Sequence, residues 1–467
     1  MTALTCAGAA SLRQQGLALL MMLSLLILAA LTLFVEQFTA ARIQARRDEI
    51  SDAALAQAKE ALIAYALTYG DNHPNKVPGY LLCPETGNSA IATPEGSADL
   101  SCGTKNTSVI GRLPWRTLGL EPLRDGAHEC LWYAVSGSYK NNPGTDMMNW
   151  DTDGQLAVRG ADGRSLIAGA TTEEHAAAVI FAPGSPMGKQ NRSPVANTAI
   201  CGGNYNPANY LEASGGADNS AVATAAGALS TFIAGGAGNG VNDRLIVITP
   251  NDIFAAIKKR ADFQAALAGL TRRMAQCIAA YGMGNAAGPD DKRLPWAAPV
   301  GLADYSANTS FEDNTGNLSG RLPFRLKHSK SATGNIMTTT NLSSSCPVPW
   351  SVADDEWYKN WKDQLFYALA GGFSPVATTP GACPACLNAN SSGAYAAIVM
   401  FAGGRLAGQS RSSPADKAQI ANYLEDRNNS NHPNIGGDAD YRSGPASAGF
   451  NDVLYCIDTG LRVAPCP

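Results

Sequence analysis

The residues most able to do chemistry are few. Asn149-Trp150-Asp151-Thr152-Asp153-Gly154 sets two carboxylates two residues apart ahead of a turn glycine, the oxygen-rich opening that hard cations take in calcium loops. No bidentate glutamate follows at the twelve-residue spacing, so this is no EF-hand. Asp151 and Asp153 stand as candidate calcium ligands against the plainer reading of an Asx turn capping a hairpin. Cys383-Pro384-Ala385-Cys386 has the spacing of a thioredoxin-type redox pair, but it lies between Pro380-Gly381 and a Gly/Asn/Ser-rich stretch with no apolar strand before it. That context favours a structural bridge. The five histidines, His73, His128, His175, His328 and His432, include no two at metal-ligand spacing. Glu173-Glu174-His175 and His128-Glu129 could serve as acid/base pairs, yet no nucleophile motif accompanies them, and solvent-facing polar residues are the default. None of the 47 glycines forms a phosphate-cradling loop. No catalytic residue and no cofactor beyond a loop calcium emerges, and the chain reads as a non-enzyme.

The elements that must position such residues follow from composition. The chain has 467 residues, 45% hydrophobic and 16% charged, with a net charge of −4. It is long enough for two or three packed domains, too apolar for disorder, and without the basic excess that nucleic acid demands. Eleven cysteines point to an oxidising compartment. Cys6 lies ahead of the first apolar run. The other ten, Cys83, Cys102, Cys130, Cys201, Cys277, Cys346, Cys383, Cys386, Cys456 and Cys466, are disulfide candidates whose connectivity the spacing alone leaves open.

From Leu17 to Val35 only Ser24 and Thr32 are polar, a length that predicts a membrane-spanning helix over 17–35. The helical period continues through Leu55, Ala58, Leu62, Ala66 and Tyr69 and stops at Gly70-Asp71-Asn72-His73-Pro74. Arg13-Gln14-Gln15-Gly16, followed at once by Leu17-Ala18-Leu19-Leu20-Met21, resembles the type III signal of type IV pilins and type II secretion pseudopilins. A prepilin peptidase cuts that signal after a glycine. The resemblance, confined to Arg13 through Gly70, implies processing between Gly16 and Leu17. Major pilins carry a glutamate where this chain has Met21, a departure similar to the K-type minor pseudopilins and PilX-like minor pilins. Loop calcium recurs among pseudopilins, which adds to the reading of Asp151 and Asp153.

The rest of the chain repeats itself. Residues 54–70 align on 266–282. Gly111-Arg112-Leu113-Pro114-Trp115 recurs as Gly320-Arg321-Leu322-Pro323-Phe324, and Leu131-Trp132-Tyr133-Ala134 as Leu365-Phe366-Tyr367-Ala368. Val179-Ile180-Phe181-Ala182 matches Val399-Met400-Phe401-Ala402, Asn209-Tyr210-Leu211-Glu212 recurs unchanged at 422–425, and Asn242-Asp243 at 451–452. Six matches in one order predict a tandem duplication of a domain. Arg112 and Arg321 read as packing residues that cap carbonyls, and Asn242-Asp243 with its copy as turn formers.

The expected fold is α+β: a leader at 1–16, a long N-terminal membrane-spanning and amphipathic helix at 17–70, and two tandem pilin-like domains at 71–250 and 251–467, each a helix packed on an antiparallel sheet. The resemblance implies a minor pilin or pseudopilin-like structural subunit at the tip or in initiation of a type IV pilus or type II secretion pseudopilus. It implies other pilins or pseudopilins, prepilin peptidase and the inner membrane as partners. The protein would then be single-pass, with its C-terminal domains periplasmic or extracellular in a filament. The alternatives are an uncleaved membrane-anchored extracytoplasmic binding or adhesin module and an anchored hydrolase.

Overall fold

The computed structural model describes residues 11–87, 93–236, 240–285, 288–328 and 339–467, and within the first helix it leaves the side chains of 11–17 and 33–40 undescribed. That helix, α1, runs unbroken over Ser11–Asn72. Its C-terminal third buries Leu55, Ala58, Leu62, Ala66 and Tyr69, the i, i+3/i+4 stripe the sequence marks out. The helix ends where residues 76–78 cross over Gly70 so closely that a Cβ there would lie 2.6 Å from the Lys76 carbonyl oxygen. Its N-terminal part is bare: Leu19, Leu20, Met21, Met22, Leu23, Leu25, Leu26, Ile27, Leu28 and Leu31 are all exposed.

The first lobe carries β1 (Val109–Arg112), β2 (Trp132–Val135), β3 (Leu156–Arg159), β4 (Leu166–Ala168), β5 (Ala178–Ala182), β6 (Ala213–Ser214), β7 (Ala217–Asp218), β8 (Ser230–Ile233) and β9 (Arg244–Ile248). A four-stranded antiparallel sheet, β1-β2-β5-β9, packs one face on α1; β4-β3-β8, in which β3 and β8 run parallel, forms a second sheet, and β6-β7 a short ribbon. Trp132, Val179, Phe181 and Phe232 fill the space between the two sheets.

Two helices join the lobes. α2 (Pro250–Ile257) starts at a capping box in which the Thr249 hydroxyl takes the Asp252 N–H and the Asp252 carboxylate takes the Thr249 N–H. α3 (Ala261–Gly282) is the second lobe's counterpart of the lower α1. Lys59 Nζ on α1 donates to Val247 O (2.9 Å) and pairs with Asp252 (3.1 Å), while Arg260 reaches back to Leu67 O and Asp71. The connection is thus stitched to α1 at both ends.

The second lobe adds α4 (Val352–Trp361) and β10 (Ser319–Arg321), β11 (Arg325–Leu326), β12 (Thr340–Asn341), β13 (Leu365–Leu369), β14 (Leu387–Ala389), β15 (Ser392–Phe401), β16 (Asp440–Tyr441), β17 (Val453–Asp458) and β18 (Val463–Pro465). β10-β13-β15-β17 repeats the order of β1-β2-β5-β9, with β14, β16 and β18 appended and β11-β12 as a separate ribbon. Tyr133 faces Ile180 across β2 and β5, and Tyr367 faces Val399 across β13 and β15. The strand pairing therefore matches Ile180 to Val399, one residue away from the alignment of letters. Both segments are apolar on both faces, so their sequence pattern holds no register information.

The expected architecture requires correction. Among the described residues no helix is long and apolar enough to cross a membrane. The described apolar stretch of α1, residues 18–32, rises about 22 Å, against the roughly 30 Å of a hydrocarbon core. The span expected at 17–35, the single-pass inner-membrane placement and the prepilin-type membrane description fall with it. The pair of simple α+β pilin-like domains gives way to a mixed α/β arrangement of several sheets with parallel pairings at β3/β8 and β14/β16. One apolar core runs through both lobes, from Ala54 to Leu461.

The two ends of α1 should respond differently to truncation. Leu62→Ala is expected to lower unfolding free energy by about 2–5 kcal/mol, and Leu28→Ala to stay within about 0.5 kcal/mol, as read from urea unfolding curves.

Candidate functional site

Each lobe builds the same polar network on the far end of its main sheet. In the first lobe the Arg192 guanidinium donates to Asn209 O, Gly184 O and Gln190 Oε1, and stacks 4.7 Å from the Tyr210 ring. In the second, Arg411 donates to Asn422 O, Gly403 O and Gln409 Oε1, 4.3 Å from the Tyr423 ring. Arg112 and Arg321 add a second guanidinium to each tyrosine, and both cap carbonyls: Gly202 and Asn204 for Arg112; Val300, Asp363 and Lys417 for Arg321. Buried arginine has five donors to satisfy, so the surrounding loops are shaped to present carbonyl oxygens.

The acid side of the network is duplicated too. Glu212 N–H donates to Asp243 Oδ2 and Asn242 N–H to Glu212 Oε2; Glu425 N–H donates to Asp452 Oδ2 and Asn451 N–H to Glu425 Oε2. Asn219 and Asn428 each donate to the neighbouring aspartate, both at 2.9 Å. Burial, then the adjoining glutamate, pushes the Asp243 and Asp452 carboxyls well above the ordinary range. Asn242-Asp243 and Asn451-Asp452 thus tie the last strand to the loop before it, a larger part than turn formation. At Gly403 a Cβ would lie 2.0 Å from Asn451 Oδ1, and at Gly184 3.1 Å from Asn242, so both glycines are demanded by the same close approach.

The lobes differ in what balances the arginine. Arg192 pairs with Glu129 of its own lobe at 3.1 Å. Arg411, fully buried, pairs at 3.1 Å with Asp151 of the other lobe, itself 1% exposed. Arg405 approaches Asp151 Oδ1 at 3.3 Å and Glu173 at 2.7 Å, and Gln364 Nε2 donates to Asp151 Oδ2. Asn149 Nδ2 donates to Asn360 O and Asp363 Oδ1, and Asn360 Oδ1 accepts the Met148 N–H. The 148–154 turn is therefore the seam between the lobes.

These contacts place the residues singled out from sequence. Asp151 and Asp153 share the seam, Asp151 between two guanidinium groups and Asp153 with its carboxyl pushed up to about 6 by burial. Among the described residues no three His, Cys, Asp or Glu side chains gather at metal-binding distance. Gly16 and Leu17 lie in α1, with side chains outside the described residues, and Cys6 is outside them altogether. The ten remaining cysteines form Cys83–Cys102, Cys130–Cys201, Cys277–Cys346, Cys383–Cys386 and Cys456–Cys466, each within one lobe. Glu129 and Glu173, read as solvent-facing, instead pair with Arg192 and Arg405. Sequence reasoning passed over Gln190-x-Arg192-Ser193 and its copy Gln409-x-Arg411-Ser412, the signal that would have exposed the network.

No family model, no curated protein and no solved structure matches the chain.

Removing one partner of a buried pair strands the other. Asp151→Ala should cost about 3–5 kcal/mol by that mechanism, and Glu129→Ala, whose carboxylate is partly solvated, about 1 kcal/mol, both measured by chemical denaturation. A carboxyl raised in the folded state stabilises fully below its unfolded-state titration and loses that contribution as pH rises through the folded one. From neutral toward alkaline pH these two acids should therefore lower the midpoint of thermal unfolding, and the double variant Asp243→Asn, Asp452→Asn should flatten that decline.

Proposed function

We propose that the chain is a non-catalytic structural subunit that builds into a filament in the manner of a minor pilin. The observation that carries this reading is the division of α1: ten large apolar side chains stand exposed between Leu19 and Leu31, while Ala54 through Tyr69 of the same helix are sealed in the core. Monomeric proteins rarely leave a contiguous apolar surface of that kind in water. Helices from neighbouring copies or related subunits cover it when packed side by side, burying leucine against leucine as in a bundle. The two-lobed body then sits at one end of the helix, and its bulk favours a terminal position at low copy number.

The head supplies rigidity rather than chemistry. Five disulfides brace the lobes individually, and the buried Asp151–Arg411 pair with a continuous core holds the two in one arrangement. A charged residue in the bare stretch should separate assembly from folding. Leu28→Arg is expected to abolish higher-order assembly in sedimentation velocity while leaving the thermal midpoint of the head unchanged. Assembly retained by Leu28→Arg would sink the proposal.

A further inference from the structure

A small cavity opens at the seam between the lobes, lined by Trp150 and Glu173 of the first lobe, Asn251, Phe254 and Lys258 of α2 and its end, and Arg405 of the second. Its volume is about 140 Å³, close to that of engineered cavities that hold benzene. Unlike such cavities it is not purely apolar. Lys258, half-buried, makes no hydrogen bond or ion pair among the described residues, and its ammonium lies 5.9 Å from the centre of the Trp150 ring. Trp150 is 7% exposed, and its Nε1–H is buried without an acceptor among the described residues. Arg405 directs Nε at Asp151 and one terminal nitrogen at Glu173, and its other terminal nitrogen makes no hydrogen bond among the described residues.

Three cations, Lys258, Arg405 and Arg411, meet three carboxylates, Asp151, Asp153 and Glu173; the arginines engage Asp151 and Glu173, and Lys258 forms a direct ion pair with none of the three among the described residues. A half-buried ammonium without a direct ion-pair partner and a buried indole N–H without an acceptor both carry a desolvation cost. One anionic oxygen pair in the cavity would answer all three unspent donors. The Trp150 and Phe254 rings leave room beside it for a short apolar group.

We propose that this cavity binds a small carboxylate, with Lys258 and Arg405 taking the charge and Trp150 Nε1–H donating to an oxygen. The carboxylate is either a free small acid or the C-terminus of a peptide, since both present the same group. Because residues of both lobes line the cavity, occupancy also tightens the seam.

The full chain is titrated calorimetrically at fixed ionic strength with benzoate, with a hexapeptide bearing a free C-terminus, and with its amidated form. Saturable one-to-one binding of benzoate or of the free-terminus peptide is expected, the stronger of the two marking the source. Lys258→Gln should weaken that binding about tenfold or more, and Lys258→Arg, which keeps the charge, should hold it within about threefold. Both variants should fold, with Lys258→Gln unfolding at or above the wild-type midpoint. No saturable binding of either carboxylate, equal binding of the amidated peptide, or undiminished binding by a folded Lys258→Gln would each overturn the proposal.

Discussion

The ion pair between Asp151 and Arg411 is the contact on which the rest of the molecule turns. Each lobe buries an arginine against a tyrosine at the end of its main sheet, and a buried guanidinium is costly unless carbonyl acceptors or a counter-charge compensate it. The first lobe finds its counter-charge internally, in Glu129. The second does not. Its counter-charge comes from the 148–154 turn of the first, so the second lobe's network is complete only when the lobes are docked. The geometry of docking is thus set by a polar requirement, and the apolar core around Trp150, Trp361 and Phe401 follows it.

The same requirement explains the irregular chain between the strands. The segments 183–212 and 402–425 contain little regular structure, yet both carry a glutamine, an arginine and the Asn-Tyr-Leu-Glu run in one order. Their backbones bend to aim carbonyls of Gly184, Asn209, Gly403 and Asn422 at a guanidinium. Hydrogen bonds to a charged group contribute roughly twice what neutral ones do, so a few such contacts fix a loop that no ladder holds. The acid pairs, Glu212 with Asp243 and Glu425 with Asp452, close the other side through hydrogen bonds to backbone N–H groups.

Much of this was legible. The buried stripe from Leu55 to Tyr69, the stop near Gly70 and the ordered repeat are written in the sequence, because each depends on an apolar period, a turn or a run of matching letters. The pairing of Ile180 with Tyr133, not the letter match, sets the repeat's register, and an apolar run buried on both faces carries no trace of that. The apolar run at 17–35 suggested a bilayer, since composition alone does not distinguish lipid from other helices as the neighbour of an exposed leucine. Gln190-x-Arg192 and Gln409-x-Arg411 went unread because three residues are too few to stand out until their contacts show that they matter.

The asymmetry between the lobes has a physical consequence for how such a molecule could arise. Two copies of one fold, each with an internal counter-ion for its arginine, have no reason to adopt a single relative orientation. Once the second copy's arginine takes its partner from the first, separation of the lobes leaves one guanidinium buried without compensation, and the open arrangement is penalised by several kcal/mol. The cations gathered at the seam spend their hydrogen bonds on Asp151 and Glu173, and Lys258 is left lining a cavity without a direct ion-pair partner among the described residues. Docking through a shared acid thus concentrates charged groups where the lobes meet, and the geometry of that junction is set by how each of them is compensated.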